Sequence, residues 1–182
     1  LEEDKNSLFY KIARRKIFKK ISEKLLDSEA RLQSIQFFIK HHKENLPTPI
    51  HQDNAYWCKK NGKGLSIWIA LSETNKKKGC MYYYVNSHKK NYSHHSSKIP
   101  GSSLIIKKHP KKKLKFYKLK PGDCAIHDSK TIHGSFKNFS NRTRIAFIVC
   151  FVSKNSRTDN KLKKKYNNEL KKQNINRLKK IN

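Results

Sequence analysis

The apolar positions along the chain change period at two places. In residues 6–26, Leu8, Ile12, Ile17, Ile21 and Leu25 recur near helical spacing with Lys and Arg opposite them, which predicts a helix packed by one face. Asp27-Ser28 ends that pattern. From there to residue 152 the apolar residues come in short runs between Gly, Pro and polar turns. Residues 32–40 (LQSIQFFIK) predict a strand, and Pro47 and Pro49 an extended approach to His51. After a polar turn over 59–64, the dense apolar run 65–72 (LSIWIALS) predicts a central strand. Residues 79–85 (GCMYYYV) predict an aromatic-rich strand suited to a half-buried pleat. Residues 89–113 read as loop, 116–119 as strand, Pro121-Gly122 as turn and 123–127 as strand, and 143–152 (TRIAFIVCFV) as a long apolar strand. Some eight short strands with Gly and Pro turns predict an all-β closed or double-sheet form.

Beyond residue 153 the period is helical again. Leu162, Tyr166 and Leu170 step by four, with Leu178 and Ile181 further on, among 11 Lys or Arg and the two acids Asp159 and Glu169. This predicts a narrow, strongly cationic helix, loosely docked. The chain therefore divides into an N-terminal helical segment (1–31), a β domain (32–153) and a Lys-rich tail (154–182).

Composition adds charge to this picture. The 182 residues are one domain's worth, and 43 Lys plus Arg against 13 acids give a net charge of +30. Abundant Lys and Asn suit AT-rich coding; the scarcity of acids suits attraction to nucleic acid, an anionic membrane or an acidic substrate. The Lys clusters at 76–78, 107–113 and 161–165 fall in predicted loops and the tail. The charge is accordingly expected to be mostly surface, giving non-specific nucleic-acid or membrane contact without defining the substrate. Cys58, Cys80, Cys124 and Cys150 have no CxxC spacing. They are expected to be free thiols, with Cys80, Cys124 and Cys150 buried beside apolar runs. No apolar run approaches ~20 residues, so no transmembrane segment is expected. With no signal peptide and no peroxisomal C-terminal signal visible, a cytoplasmic location is expected. The chain starts at Leu1 rather than Met, which leaves a preceding segment open.

The candidate chemistry centres on His51-Gln-Asp53 and, 82 residues on, His133. On a strand, residues i and i+2 share a face, so His51 and Asp53 are expected to aim one imidazole and one carboxylate at a common point. His133 from a distant strand adds a third ligand. Two His and one carboxylate with open positions is the set expected for non-haem Fe(II) oxygenases.

Four blocks give these residues a context: HQDNAYW at 51–57, Trp68-Ile-Ala-Leu71, Gly79-Cys80 leading to Asn86-Ser-His88-Lys89, and Pro121-Gly-Asp123 running to His133-Gly-Ser135 and Arg144. Over about residues 33–152 the chain resembles the phytanoyl-CoA dioxygenase family of Fe(II)/2-oxoglutarate oxygenases. The resemblance implies a double-stranded β-helix, a cupin-like jelly roll with iron at one open end. It implies His51, Asp53 and His133 as iron ligands, 2-oxoglutarate and O2 as cosubstrates, and ascorbate as reductant. Arg144, eleven residues after His133, matches the Arg that grips the far carboxylate of 2-oxoglutarate, a task suited to a planar guanidinium. Ser135, Trp68 and Gln36 match positions near that cosubstrate. Asn54, Tyr56 and Trp57 are expected beside the substrate, a small molecule or acyl thioester. Since Asp53 is present, hydroxylation is expected over halogenation. Val85-Asn86 departs from the family's usual Pro-Gly.

Three other readings are weighed. A nucleic-acid-directed 2-oxoglutarate oxygenase of demethylase type suits the charge. A non-catalytic cationic binding module on the same barrel would make the tail the working part. A zinc hydrolase would use the same ligands without consuming 2-oxoglutarate.

Overall fold

The computed structural model describes residues 7–42, 46–97 and 104–178, with side chains to residue 175. The expected N-terminal helix is two helices, α1 (Leu8–Ala13) and α2 (Lys16–Leu26). The break falls at Arg14-Arg15, where Arg15 turns to ψ 137° and leaves the helical region. Asp27 closes α2 in the left-handed conformation (φ 48°), one that Asp tolerates better than most residues.

Ten strands follow among the described residues: β1 (Ala30–Lys40), β2 (Thr48–His51), β3 (Gly64–Ala70), β4 (Met81–Tyr84), β5 (His95–Ser96), β6 (Leu104–Ile105), β7 (Leu114–Phe116), β8 (Cys124–Asp128), β9 (His133–Ser135) and β10 (Arg144–Ser153). Short helix α3 (Asn54–Trp57) follows β2, and α4 (Asn160–Leu178) ends the described chain. The expected strand at 116–119 lies two residues earlier, because β7 pairs with β4 and residues 117–119 turn away.

Two four-stranded antiparallel sheets form the body, in the orders β1-β10-β3-β8 and β2-β9-β4-β7, with β5-β6 a separate pair. Interleaved chain order in two facing sheets is the double-sheet jelly roll. Alternation along each strand decides which side chains face which way. On the first sheet, Leu65, Ile67, Phe147, Val149 and Phe151 face outward and are covered by Ala13 and Leu26 of the helices. Phe9 adds an edge contact to Phe37, ring centroids 4.6 Å apart. The intervening residues face the inside of the roll: Gln36, Phe38 and Lys40 from β1, Ser66 and Trp68 from β3, and Ile148 and Cys150 from β10. The period-2 pattern thus builds a core on one face and the wall of a cavity on the other.

The Val85-Asn86 departure has a local explanation. Asn86 stands at φ 57°, the region that Gly would occupy and that Asn tolerates best among side-chain-bearing residues. All four Cys are free thiols among the described residues, but Cys124 is exposed and Cys58 is buried. Cys124 sits on the edge strand β8, where alternation turns it away from the interior, so the burial expected for it is not found.

Helix α4 is docked, not loose. Its Leu162, Tyr166, Glu169, Leu170 and Gln173 form one inward stripe. Glu169 accepts from Ser96 N at 2.7 Å, Gln173 Nε2 donates to Ser97 O at 3.0 Å, and the Tyr166 ring meets Tyr56 at 5.9 Å. Its lysines point outward. Ile181 lies outside the described residues.

Candidate metal centre

Strand alternation is not what brings His51 and Asp53 together. His51 ends β2, while Asp53 already has helical dihedrals (φ −57°, ψ −36°) at the N-cap of α3. A strand-to-helix turn at Gln52 aims both side chains inward. His133 opens β9 and pairs with His51 across the antiparallel β2–β9 ladder. The three ligating atoms lie within 4.8 Å of one another. Asp53 Oδ1 is 3.6 Å from His51 Nε2 and 3.5 Å from His133 Nε2.

The tautomers follow from the backbone. His51 Nδ1 lies 2.8 Å from Pro49 O, and His133 Nδ1 lies 2.9 Å from Thr131 O. A carbonyl only accepts, so each Nδ1 carries the hydrogen and each Nε2 presents a lone pair to the shared point. A second-sphere bond of this kind orients a metal-binding imidazole. Burial, then the neighbouring His127, holds His133 well below the usual histidine range, so it is neutral. Burial alone would raise the Asp53 carboxyl, but His133, His127 and His51 outweigh it and hold the group well below the carboxylate range. The site sets a carboxylate beside two imidazole nitrogens at one point, a donor set that suits a divalent cation.

Two features escaped the sequence reading. His127, on β8, places Nε2 3.3 Å from Asp53 Oδ2, and its ring lies 4.3 Å from that of His133. His94, expected in a solvated loop, is buried, and its Nε2 accepts from Gln52 N at 2.9 Å. Gln52 also donates to Lys90 O and Lys130 O and accepts from Tyr92 N. The residue between the two ligands therefore ties down both neighbouring loops. The signal for His127 was its i+2 alternation with Ala125 on a strand whose exposed side was apolar; nothing in the sequence marked His94.

The shared point opens into a cavity of ≈ 580 Å³, lined by Gln36, Phe38, Tyr56, Trp57, Trp68 and Ile148 among others. Trp68 Nε1–H is buried and has no hydrogen-bond partner among the described residues. The Trp68 ring lines the cavity, while Nε1 itself is closed off from it. Arg144, fully buried at the start of β10, sets its guanidinium 5.3 Å over the Trp68 ring and donates to Phe38 O at 3.4 Å. Arg142 precedes the strand and is exposed, so the two arginines do not share a face.

Not every expected residue reaches the cavity. Ser135 is buried, but its Oγ donates to Thr48 Oγ1 at 2.8 Å and it fastens β9 to β2. Asn54 holds Lys59 at both ends, Nδ2 to its carbonyl at 3.0 Å and Oδ1 from its N–H at 2.9 Å, so it closes the turn after α3. Asn is a common turn-closing residue. Tyr56 lines the cavity, accepts from Leu104 N, and sets its ring edge-on to His51, centroids 5.5 Å apart.

The phytanoyl-CoA dioxygenase (PhyH) family profile matches residues 1–146, and the chain belongs to that family. No curated protein sequence is similar enough to match. Among solved structures, EvdO2 from Micromonospora carbonacea var. aurantiaca is 26% identical with a TM-score of 0.65, covering 75% of this chain and 58% of that one. The same protein complexed with 2-oxoglutarate aligns with a TM-score of 0.68 at 24% identity, covering 79% and 62%. The epimerase SnoN in complex with Fe3+, alpha ketoglutarate and nogalamycin RO aligns with a TM-score of 0.68 at 22% identity, covering 81% and 59%. The chain spans about three-fifths of the length of these structures. Among the described residues, no helix is long and apolar enough to cross a membrane.

Proposed function

We propose that the chain is an Fe(II)- and 2-oxoglutarate-dependent dioxygenase that hydroxylates a small molecule or acyl thioester. The observation that carries this reading is the convergence of His51 Nε2, Asp53 Oδ1 and His133 Nε2 at the head of the cavity, with both imidazole tautomers fixed for ligation. Family membership supports the same chemistry. Two imidazoles and a carboxylate on one side of an ion leave positions for a bidentate cosubstrate and dioxygen.

His51, Asp53 and His133 would hold the iron. Iron held there would supply oxidative decarboxylation of 2-oxoglutarate, which gives both electrons, one oxygen atom of O2 going to succinate and the other to a substrate C–H bond, and ascorbate would serve only to keep the iron ferrous. The residues of the chain bind, orient and exclude water. Arg144 gives the buried positive charge for the far carboxylate of 2-oxoglutarate, and Trp68, beneath its guanidinium, holds it in place by a cation–π contact. Gln36 gives a polar group on the wall beside Phe38 and Ile148. Tyr56, braced by Leu104 N and Tyr166, limits movement of His51 and shapes the substrate side.

The test is succinate formation from 2-oxoglutarate, Fe(II)-dependent, screened over acyl-CoAs, small polar metabolites, and RNA and DNA oligomers. Turnover with a product heavier by one oxygen supports hydroxylation. Hydrolysis without 2-oxoglutarate consumption would favour a zinc hydrolase, and turnover stimulated only by an oligomer would favour a nucleic-acid-directed enzyme.

A further inference from the structure

Asp53 occupies a helix N-cap, where an aspartate ordinarily accepts from the helix's own first N–H groups. It makes no such bond. Its Oδ1 faces His51 and His133, while Oδ2 accepts Ser66 Oγ–H at 2.6 Å and lies 3.3 Å from His127 Nε2. Ser66 and His127 are direct partners in the β3–β8 ladder, so two paired strands present both side chains to the same oxygen. His127 is 7% exposed, and neither of its ring nitrogens makes a hydrogen bond of good geometry among the described residues; Nε2 approaches Asp53 Oδ2 at 3.3 Å without one. Among the described residues, Asp53 is the one acid paired with its ring. A buried imidazole that served only to fill space would be better replaced by an apolar side chain. Nor does its ring nitrogen fall in the group formed by the three ligating atoms.

We propose that Ser66 and His127 clamp Oδ2 of Asp53, leaving Oδ1 as the oxygen offered to the metal and keeping a coordination position open for the cosubstrate. This rests on the iron reading above. Both are positioning residues. Released from the clamp, the carboxylate would be free to present both oxygens or to turn back and cap α3. On this account the Nε2 side of His127 faces Oδ2 at 3.3 Å as a polar contact, and Ser66 Oγ–H makes the hydrogen bond.

The test is Co(II) titration of the metal-free full chain by calorimetry and by the visible absorption of the bound ion, with circular dichroism as a check on folding. His127→Leu and Ser66→Ala are each expected to weaken Co(II) binding by about 10- to 100-fold, the usual effect of losing a second-sphere partner, and to alter the absorption of the bound ion. The double variant is expected to be little worse than the weaker single, because both act on one atom. His127→Gln keeps an N–H donor and is expected to bind within several-fold of the parent. Parent-like binding by a folded His127→Leu would overturn the clamp alone. So would a His127→Gln that loses Co(II) as completely as His133→Ala, since that would make His127 a ligand. No Co(II) binding by the parent would instead overturn the metal reading on which the clamp rests.

Discussion

The backbone N–H of Gln52 donates to Nε2 of His94 at 2.9 Å, and Nδ1 of His94 in turn lies 2.9 Å from Tyr92 O. One nitrogen accepts and the other donates, so His94 works only as a neutral imidazole. Burial, and then the neighbouring His51, push its pKa down to about 4. An unfolded His titrates near 6.5. Between about 6.5 and 4 the unfolded chain therefore binds more protons than the folded one, and stability falls as pH falls through that window. His133 is shifted in the same direction. The melting temperature is expected to drop between pH 7 and pH 4.5, His94 contributing on the order of 3 kcal/mol in full. His94→Gln keeps an acceptor without the titration, so its melting temperature is expected to depend less steeply on pH. An equal slope in parent and variant would contradict this role.

Gly134 follows the ligand His133. A Cβ there would lie 2.7 Å from Tyr82 Oη and 2.8 Å from Thr48 O. One of those atoms is backbone of the adjoining strand β2, which cannot easily give way. Gly134→Ala is expected to destabilise the fold by about 1–3 kcal/mol, the usual cost of overpacking, and to weaken metal binding by shifting His133. Thermal unfolding and metal titration of the variant check both.

Arg144→Ala is expected to weaken 2-oxoglutarate binding far more than Arg142→Ala. Removing one partner of a buried charge pair costs about 2–5 kcal/mol, whereas Arg142 is exposed and its hydrogen bonds run through its backbone, to Asn138 Nδ2 and Ser140 Oγ. Calorimetric titration with 2-oxoglutarate checks this, and equal losses would remove Arg144 from the assignment.

Much of this was legible before any coordinates. The first sheet could be read because its strands β1, β3 and β10 come from long, dense apolar runs at 32–40, 65–72 and 143–152. The ligand set could be read because HxD and the distant His-Gly-Ser stand among matching blocks. What escaped reading depends on tertiary neighbours. Asn54 and Ser135 carry side chains as suited to a ligand as to a backbone carbonyl or a threonine, and only their surroundings decide. His127 and His94 were two of nine histidines, and burial alone distinguishes them. The way His51 and Asp53 converge was misread because a four-residue helix leaves no periodicity to detect. The tail's stripe was seen, yet its anchoring through Glu169 and Gln173 was not, since polar residues carry no burial signal of their own.

The docking of α4 changes how its charge is best tested. Deleting the helix would also remove Tyr166 from Tyr56, so substitution on its exposed side separates charge from structure. Lys161→Gln, Lys164→Gln and Lys165→Gln together are expected to leave the melting temperature and any small-molecule turnover unchanged. If these lysines touch phosphates, the slope of log affinity against log salt for a single-stranded oligomer is expected to flatten by about 0.7 per lost contact. Fluorescence anisotropy over a salt series checks this. Loss of turnover in the triple variant would show that the charge serves the reaction.

The central claim is that His51, Asp53 and His133 hold an iron that 2-oxoglutarate then chelates. Its most direct measurement is anaerobic addition of Fe(II) and 2-oxoglutarate to the folded protein, followed in the visible spectrum. The expected result is a weak metal-to-ligand charge-transfer band that needs both additions, is absent in His133→Ala, and requires far more 2-oxoglutarate in Arg144→Ala. Folded protein that shows neither the band nor calorimetric binding, or a band that survives His133→Ala, would contradict the claim.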